Sequence, residues 1–113
     1  QGYKVVRVVG DRYFSPHVPG TCVGYTEYKL NEFVYPREGC GPLVIWENKD
    51  AALRYIMRER MEGVITFPCE YEQSNERTLW VADRKLQPPA SGDFRDMDFA
   101  EKVKIVPAQS APV

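Results

Sequence analysis

The chain is 113 residues long, the size of one ordinary domain, and such a chain buries a core without needing a metal or disulfide staple. Its 15 basic residues stand against 16 acidic ones, a net charge of −1, so no global field draws in nucleic acid or an anionic membrane. No apolar run approaches the ~20 residues that span a bilayer.

"YKVVRVVG", Tyr3 to Gly10, is β-branched and ends in a Gly-Asp turn signal, which predicts a first strand. "RYFS", beginning at Arg12, is predicted to pair back on it as a short hairpin partner. "PHVPGT" breaks the pattern with two prolines and a glycine. "CVGYTEYKL" and "EFVYP" then read as short strands on either side of Asn31, and "REGCGP" as a loop. "LVIWE", Leu43 to Glu47, is a continuous apolar run of the kind found in a strand buried on both faces.

Asn48 is placed as the N-cap of the one convincing helix, "KDAALRYIMRERM", with Asp50 in its first turn. Ala52, Leu53, Ile56, Met57 and Met61 recur at three- and four-residue spacing and predict its buried stripe, with Arg54 and Arg58 in solvent and Gly63 as the C-terminal stop. "VITFPCEY" follows as a strand, "EQSNE" as a turn, "RTLWVADRKL" as another strand and "EKVKIV" as the last. Residues 107–113 are expected to form a loose tail after a single domain over residues 1–106. The expected fold is α+β: a single mixed, mostly antiparallel sheet with one amphipathic helix in a β-α-β crossover, right-handed if its two strands are parallel.

The opening "GYKVVR", the Ser- and Tyr-containing middle and "GPLVIWENKDAALRY" resemble small uncharacterised α+β proteins of phage and prokaryotic genomes, over about the first seventy residues. That resemblance implies a compact fold and carries no activity with it. Glu70 and Glu72, preceded by Arg7 on the first strand, resemble a second family, the arginine-specific ADP-ribosyltransferases. There the strand arginine helps hold the dinucleotide and the last glutamate stabilises the developing sugar cation, so Arg7 and Glu72 would match, with Glu70 beside them. The Ser-Thr-Ser run of that family is missing, and Thr26 is a poor substitute. Strand alternation offers a plainer account, in which Ile65, Phe67, Cys69 and Tyr71 face the core and the glutamates face water.

Three cysteines, Cys22, Cys40 and Cys69, cannot all pair internally. The odd count points to free thiols and a reducing, cytoplasmic setting, with a Cys22–Cys40 bridge as the alternative. His17 is the single histidine. With Cys22 it has the residue types of a nucleophile pair, and with the three cysteines those of a zinc site, yet the spacing enforces neither.

Aromatic residues are concentrated early, at Tyr13, Phe14, Tyr25, Tyr28, Phe33 and Tyr35, with Arg12, Lys29 and Arg37 among them. Tyrosines in a Gly/Pro-punctuated region act as rigid anchors at interfaces. The favoured expectation is therefore a small non-enzymatic binding protein, using Tyr13, Tyr25, Tyr28, Tyr35 and Arg37 to meet another protein, with no cofactor. Stacking on single-stranded nucleic acid is a further alternative.

Overall fold

The computed structural model describes residues 1–16, 26–36, 42–75, 79–81, 84–86 and 96–107. In chain order its elements are β1 (Gly2–Val9), β2 (Arg12–Phe14), β3 (Glu27–Tyr28), β4 (Phe33–Val34), β5 (Leu43–Trp46), α1 (Lys49–Arg58), β6 (Val64–Gln73), β7 (Leu79–Val81), β8 (Arg84–Leu86) and β9 (Met97–Ile105). The fold is α+β, as the residue pattern predicts. Its main sheet, however, is wholly antiparallel and closes on itself.

Closure comes from two strands that each pair on both edges. β1 pairs along Gly2 to Arg7 with β6, and on its other edge with β5 at Tyr3↔Trp46 and then with β2 from Arg7 to Val9. β9 pairs with β6 on one edge, and on the other with β5 from Met97 to Ala100 and with β4 at Val103 and Lys104. The ring β1–β5–β9–β6 is thus complete, with β2 and β3 extending it beyond β1. This corrects the expected mixed, open sheet: β5 and β6 do run parallel to each other, but as non-neighbours in a closed antiparallel ring. β5 and β6 flank β1, both antiparallel to it, so the helix between them spans a strand instead of joining two neighbours.

Residue parity on the ring makes two cores. Inside lie Val6, Tyr28, Leu43, Ile45, Phe67, Cys69, Ala100, Val103 and Ile105. Outside, Val5, Trp46 and flanking Tyr3, Val64 and Met97 pack against Ala51, Ala52, Tyr55 and Ile56 of α1. Asn48 caps α1 as expected, its Oδ1 accepting from Ala51 N at 2.8 Å. The helix ends earlier than predicted, at Arg58, and Arg60 takes a left-handed turn (φ 52°) before Gly63 does. Its buried stripe is also rotated. Ala51, Ala52 and Tyr55 face the sheet, leaving Leu53 exposed and Met57 76% exposed.

β1 and β2 are joined by Gly10-Asp11, with Gly10 at φ 62° as a two-residue hairpin requires at its first position. "RTLWVADRKL" is not one strand of the main sheet but the separate hairpin β7–β8. β6 runs on through Gln73 where a turn was expected, because β9 keeps pairing with it, absorbing one extra residue at Glu101 as a bulge. Among the described residues no helix is long and apolar enough to cross a membrane. The expected tail from residue 108 onward lies outside the described residues.

Gly2 sits where β1 passes close to Trp46, Ile45 and Tyr71. A Cβ there would meet Trp46 O at 2.8 Å, Ile45 Cδ1 at 3.0 Å and Tyr71 Cε1 at 3.1 Å. Gly2→Ala is expected to cost about 1–3 kcal/mol through overpacking, read as a lower urea midpoint. An unchanged midpoint would mean β1 and β5 are not held this closely.

Candidate functional site

The expected site residues divide between the two faces of the ring. Tyr28 is 1% exposed and packs in the interior, and Tyr13 is half-buried with its ring edge-on to Phe67 at 5.0 Å. This corrects their placement on a contact surface. Tyr13 pairs with Val8 and Tyr28, and that parity turns all three inward. Tyr35 is 60% exposed, and Phe33, two residues earlier on the same outward parity, is 39% exposed. Tyr25 and Arg37 lie outside the described residues, as do His17, Cys22 and Cys40. Cys69 is a buried free thiol.

The outer face beside Phe33 is built by β4, β9 and β6. Phe33 lies opposite Lys104, and Lys102 and Lys104 Nζ stand 4.4 and 4.8 Å from its ring centre. Each lysine also meets a glutamate across the β6–β9 ladder, Lys102 with Glu72 at 2.9 Å and Lys104 with Glu70 at 3.5 Å. The Glu72 hydrogen bond raises the Lys102 pKa above its ordinary value. The surface is therefore aromatic at its centre and balanced in charge around it.

Arg7 shares the outward parity of Glu70 and Glu72 but not their neighbourhood. It is in register with Val64, and six and eight residues of strand put the glutamates roughly 20 and 26 Å away. Thr26 is buried near β2, its carbonyl accepting from Ser15 N. Arginine, glutamates and hydroxyl do not converge on one cleft. The glutamates instead carry out the plainer role, as the solvated side of β6.

The residues with the most unusual chemistry are inside the ring, and one of them, Lys4, is absent from the residues that the sequence singles out. Lys4 alternates onto the face of Val6, where its side chain is enclosed and 5% exposed. Its Nζ donates to Val44 O at 2.6 Å and sits 5.1 Å from the centre of the Tyr28 ring. Among the described residues it forms no ion pair. Burial pulls its pKa from 10.5 to about 8, against the opposing pull of Cys69. Burial likewise pushes the Cys69 thiol up to about 11. It drives the Tyr28 phenol above its ordinary range too, with Ser15 acting in the other direction. The phenol oxygen completes no hydrogen bond of ordinary geometry among the described residues. The signal for Lys4 was present in "YKVVRV": a lysine on the parity of a core valine.

A second buried polar group closes the opposite side of the interior. Asp98, on β9, accepts from Tyr71 OH at 3.0 Å, from Gln73 Nε2 at 3.2 Å and from Phe99 N at 2.8 Å. Burial, and then Asp98 itself, push the Tyr71 phenol up to about 12. The carboxylate thus fastens β6 to β9 beside the bulge. Chemically, an amine whose pKa is drawn down to about 8 is a readier nucleophile than an ordinary lysine, yet among the described residues Tyr28 and Val44 enclose it. Among the described residues no group of His, Cys, Asp and Glu is arranged to hold a metal.

The Lys4 environment sets a pH dependence of known sign. The unfolded chain keeps this proton up to 10.5 and the folded chain releases it near 8, so the penalty is complete below pH 8 and fades as pH rises to 10.5. Stability relative to Lys4→Met is expected to increase across that window by about 3 kcal/mol, measured by urea unfolding at both ends. A difference that stays flat would place the amine in water. Comparison of the chain with family models, with curated proteins and with solved structures found no match.

Proposed function

We propose that the chain is a small non-enzymatic interaction protein whose contact surface is the outer face of β4 and β9, centred on Phe33 and Tyr35. The observation that carries this reading is the exposure of two aromatic side chains two residues apart, Phe33 on β4 and Tyr35 just after it, while the other described tyrosines of this region pack in or against the core. Large, rigid aromatic rings ringed by polar groups are the usual energetic centre of a protein–protein contact. Another protein is the favoured partner because Lys102 and Lys104 already face Glu72 and Glu70. A phosphate backbone would have to displace both carboxylates and then face their repulsion.

The test is a Phe33→Ser, Tyr35→Ser double variant, compared with the parent chain in partner capture and in thermal unfolding. Loss of two anchors is expected to weaken capture at least about tenfold, whereas exposed substitutions of this kind move stability by only about 0.5 kcal/mol. Undiminished capture would overturn the assignment of this face. A single-stranded oligonucleotide that binds the parent chain, with affinity falling steeply as salt rises, would transfer the reading to nucleic acid.

A further inference from the structure

We propose that β3 is a proton-gated lid over the ring's interior, opening readily while the Lys4 amine is charged and staying shut once the amine loses its proton. Three features of the geometry lead there. Lys4 is an ammonium with three N–H donors, yet among the described residues it has one acceptor, Val44 O. Tyr28 of β3 lies directly over it, and apart from the nearby Ser15 hydroxyl its own buried hydroxyl finds no hydrogen-bond partner of ordinary geometry among the described residues. β3 is two residues long and, among the described residues, pairs only with β2, at Tyr13↔Tyr28 and Phe14↔Glu27. It is the lightest element that covers the amine.

The balance of forces sets the direction of the gate. Water entering beneath a lifted β3 would satisfy the two remaining N–H groups of the ammonium, a gain that the neutral amine hardly needs. The attraction between the ammonium and the Tyr28 ring works the other way. The lowered pKa of Lys4 marks burial as the stronger influence. On the outside, Arg12 holds Glu27 of the lid by two hydrogen bonds of 3.0 and 2.8 Å. That latch is exposed, and Arg12 lowers the Glu27 pKa, so it stays charged throughout the range in which Lys4 titrates.

The other groups around Lys4 do not compete with it as the switch. From β6 the Cys69 thiol has its pKa raised to about 11, and from β3 the Tyr28 phenol is raised further. From β5 only the Val44 carbonyl reaches it. From β9, Asp98 shares the interior but is engaged by Tyr71, Gln73 and Phe99 N and forms no ion pair with Lys4. Ser15, after β2, is uncharged. The N-terminal amine acts on Cys69, and a Lys4 variant separates its influence.

Amide hydrogen exchange at Thr26 and Tyr28, the residues of this segment whose backbone polar groups face β2, corrected for the intrinsic rate, reads the gate directly. In the parent chain the opening constant of these amides is expected to fall roughly ten- to thirtyfold between about pH 7 and about pH 9.5. At low urea it is expected to be nearly independent of denaturant, as a local opening is. Lys4→Met should remove the pH dependence. The Lys4 Cε resonance of the parent chain, which needs no variant, should titrate in step with the opening. The proposal is overturned if these two amides exchange with the same urea dependence as Val103 and Ile105, because β3 then opens only with the whole fold. It is equally overturned if their opening ignores pH, or if the pH dependence survives in Lys4→Met.

Discussion

The structure depends on the seam between β1 and β5. Every other junction of the ring is a ladder of several residue pairs, but here a single pair, Tyr3↔Trp46, carries the backbone pairing. Side chains and their absence supply what the ladder lacks. Gly2 lets the Trp46 carbonyl come closer than any Cβ would allow. Lys4 reaches across the seam from inside to bind the Val44 carbonyl. The same short stretch also serves the outer core, since Tyr3, Val5 and Trp46 pack under α1. Three consecutive residues, Gly2 to Lys4, therefore close the ring and position the helix.

A lysine is a costly choice for that task, and its cost shapes the rest of the interior. A hydrophobic side chain would fill the same space without a charge to desolvate, but it would leave the Val44 carbonyl without this donor. The interior's other buried charge, Asp98, is treated differently, with three donors around it against one acceptor for Lys4. One side of the ring is therefore saturated with hydrogen bonds, and the other carries an under-satisfied amine beneath a two-residue strand. That asymmetry is the ground for proposing that the fold yields at β3 before β6–β9. The outer surface proposed for binding sits over the saturated side, where Phe33 rests on the lysines of β9.

Much of this fold was legible in the sequence because alternation is a local signal. β1, β5 and the inward set Phe67 and Cys69 follow from β-branched runs and parity, and Asn48 announces the helix start. Closure was not legible. Nothing local in "LVIWE" says that one edge meets Tyr3 and the other Phe99, and a helix between two strands normally argues for parallel neighbours. The helix stripe lies one residue earlier than its spacing predicts, with Ala51 and Tyr55 on the sheet and Leu53 and Met57 exposed.

The candidate site was less legible, for the same physical reason. Tyr28 and Tyr35 have like surroundings in sequence, and only the register of strands two residues long turns one inward and the other out. Arg7 stands out in the sequence through its resemblance to a dinucleotide-holding strand arginine, whereas Lys4, on the parity that faces the interior, is the charge whose pKa burial lowers. Since ring closure is what encloses Lys4, closure is the claim to measure first. Hα–Hα contacts in a nuclear Overhauser spectrum of the labelled chain are expected between facing strands at all four junctions, including β1–β5 around Tyr3 and Trp46. Contacts at β1–β6, β6–β9 and β9–β5 with none at β1–β5 would show an open sheet and a hydrated Lys4, and would contradict the account.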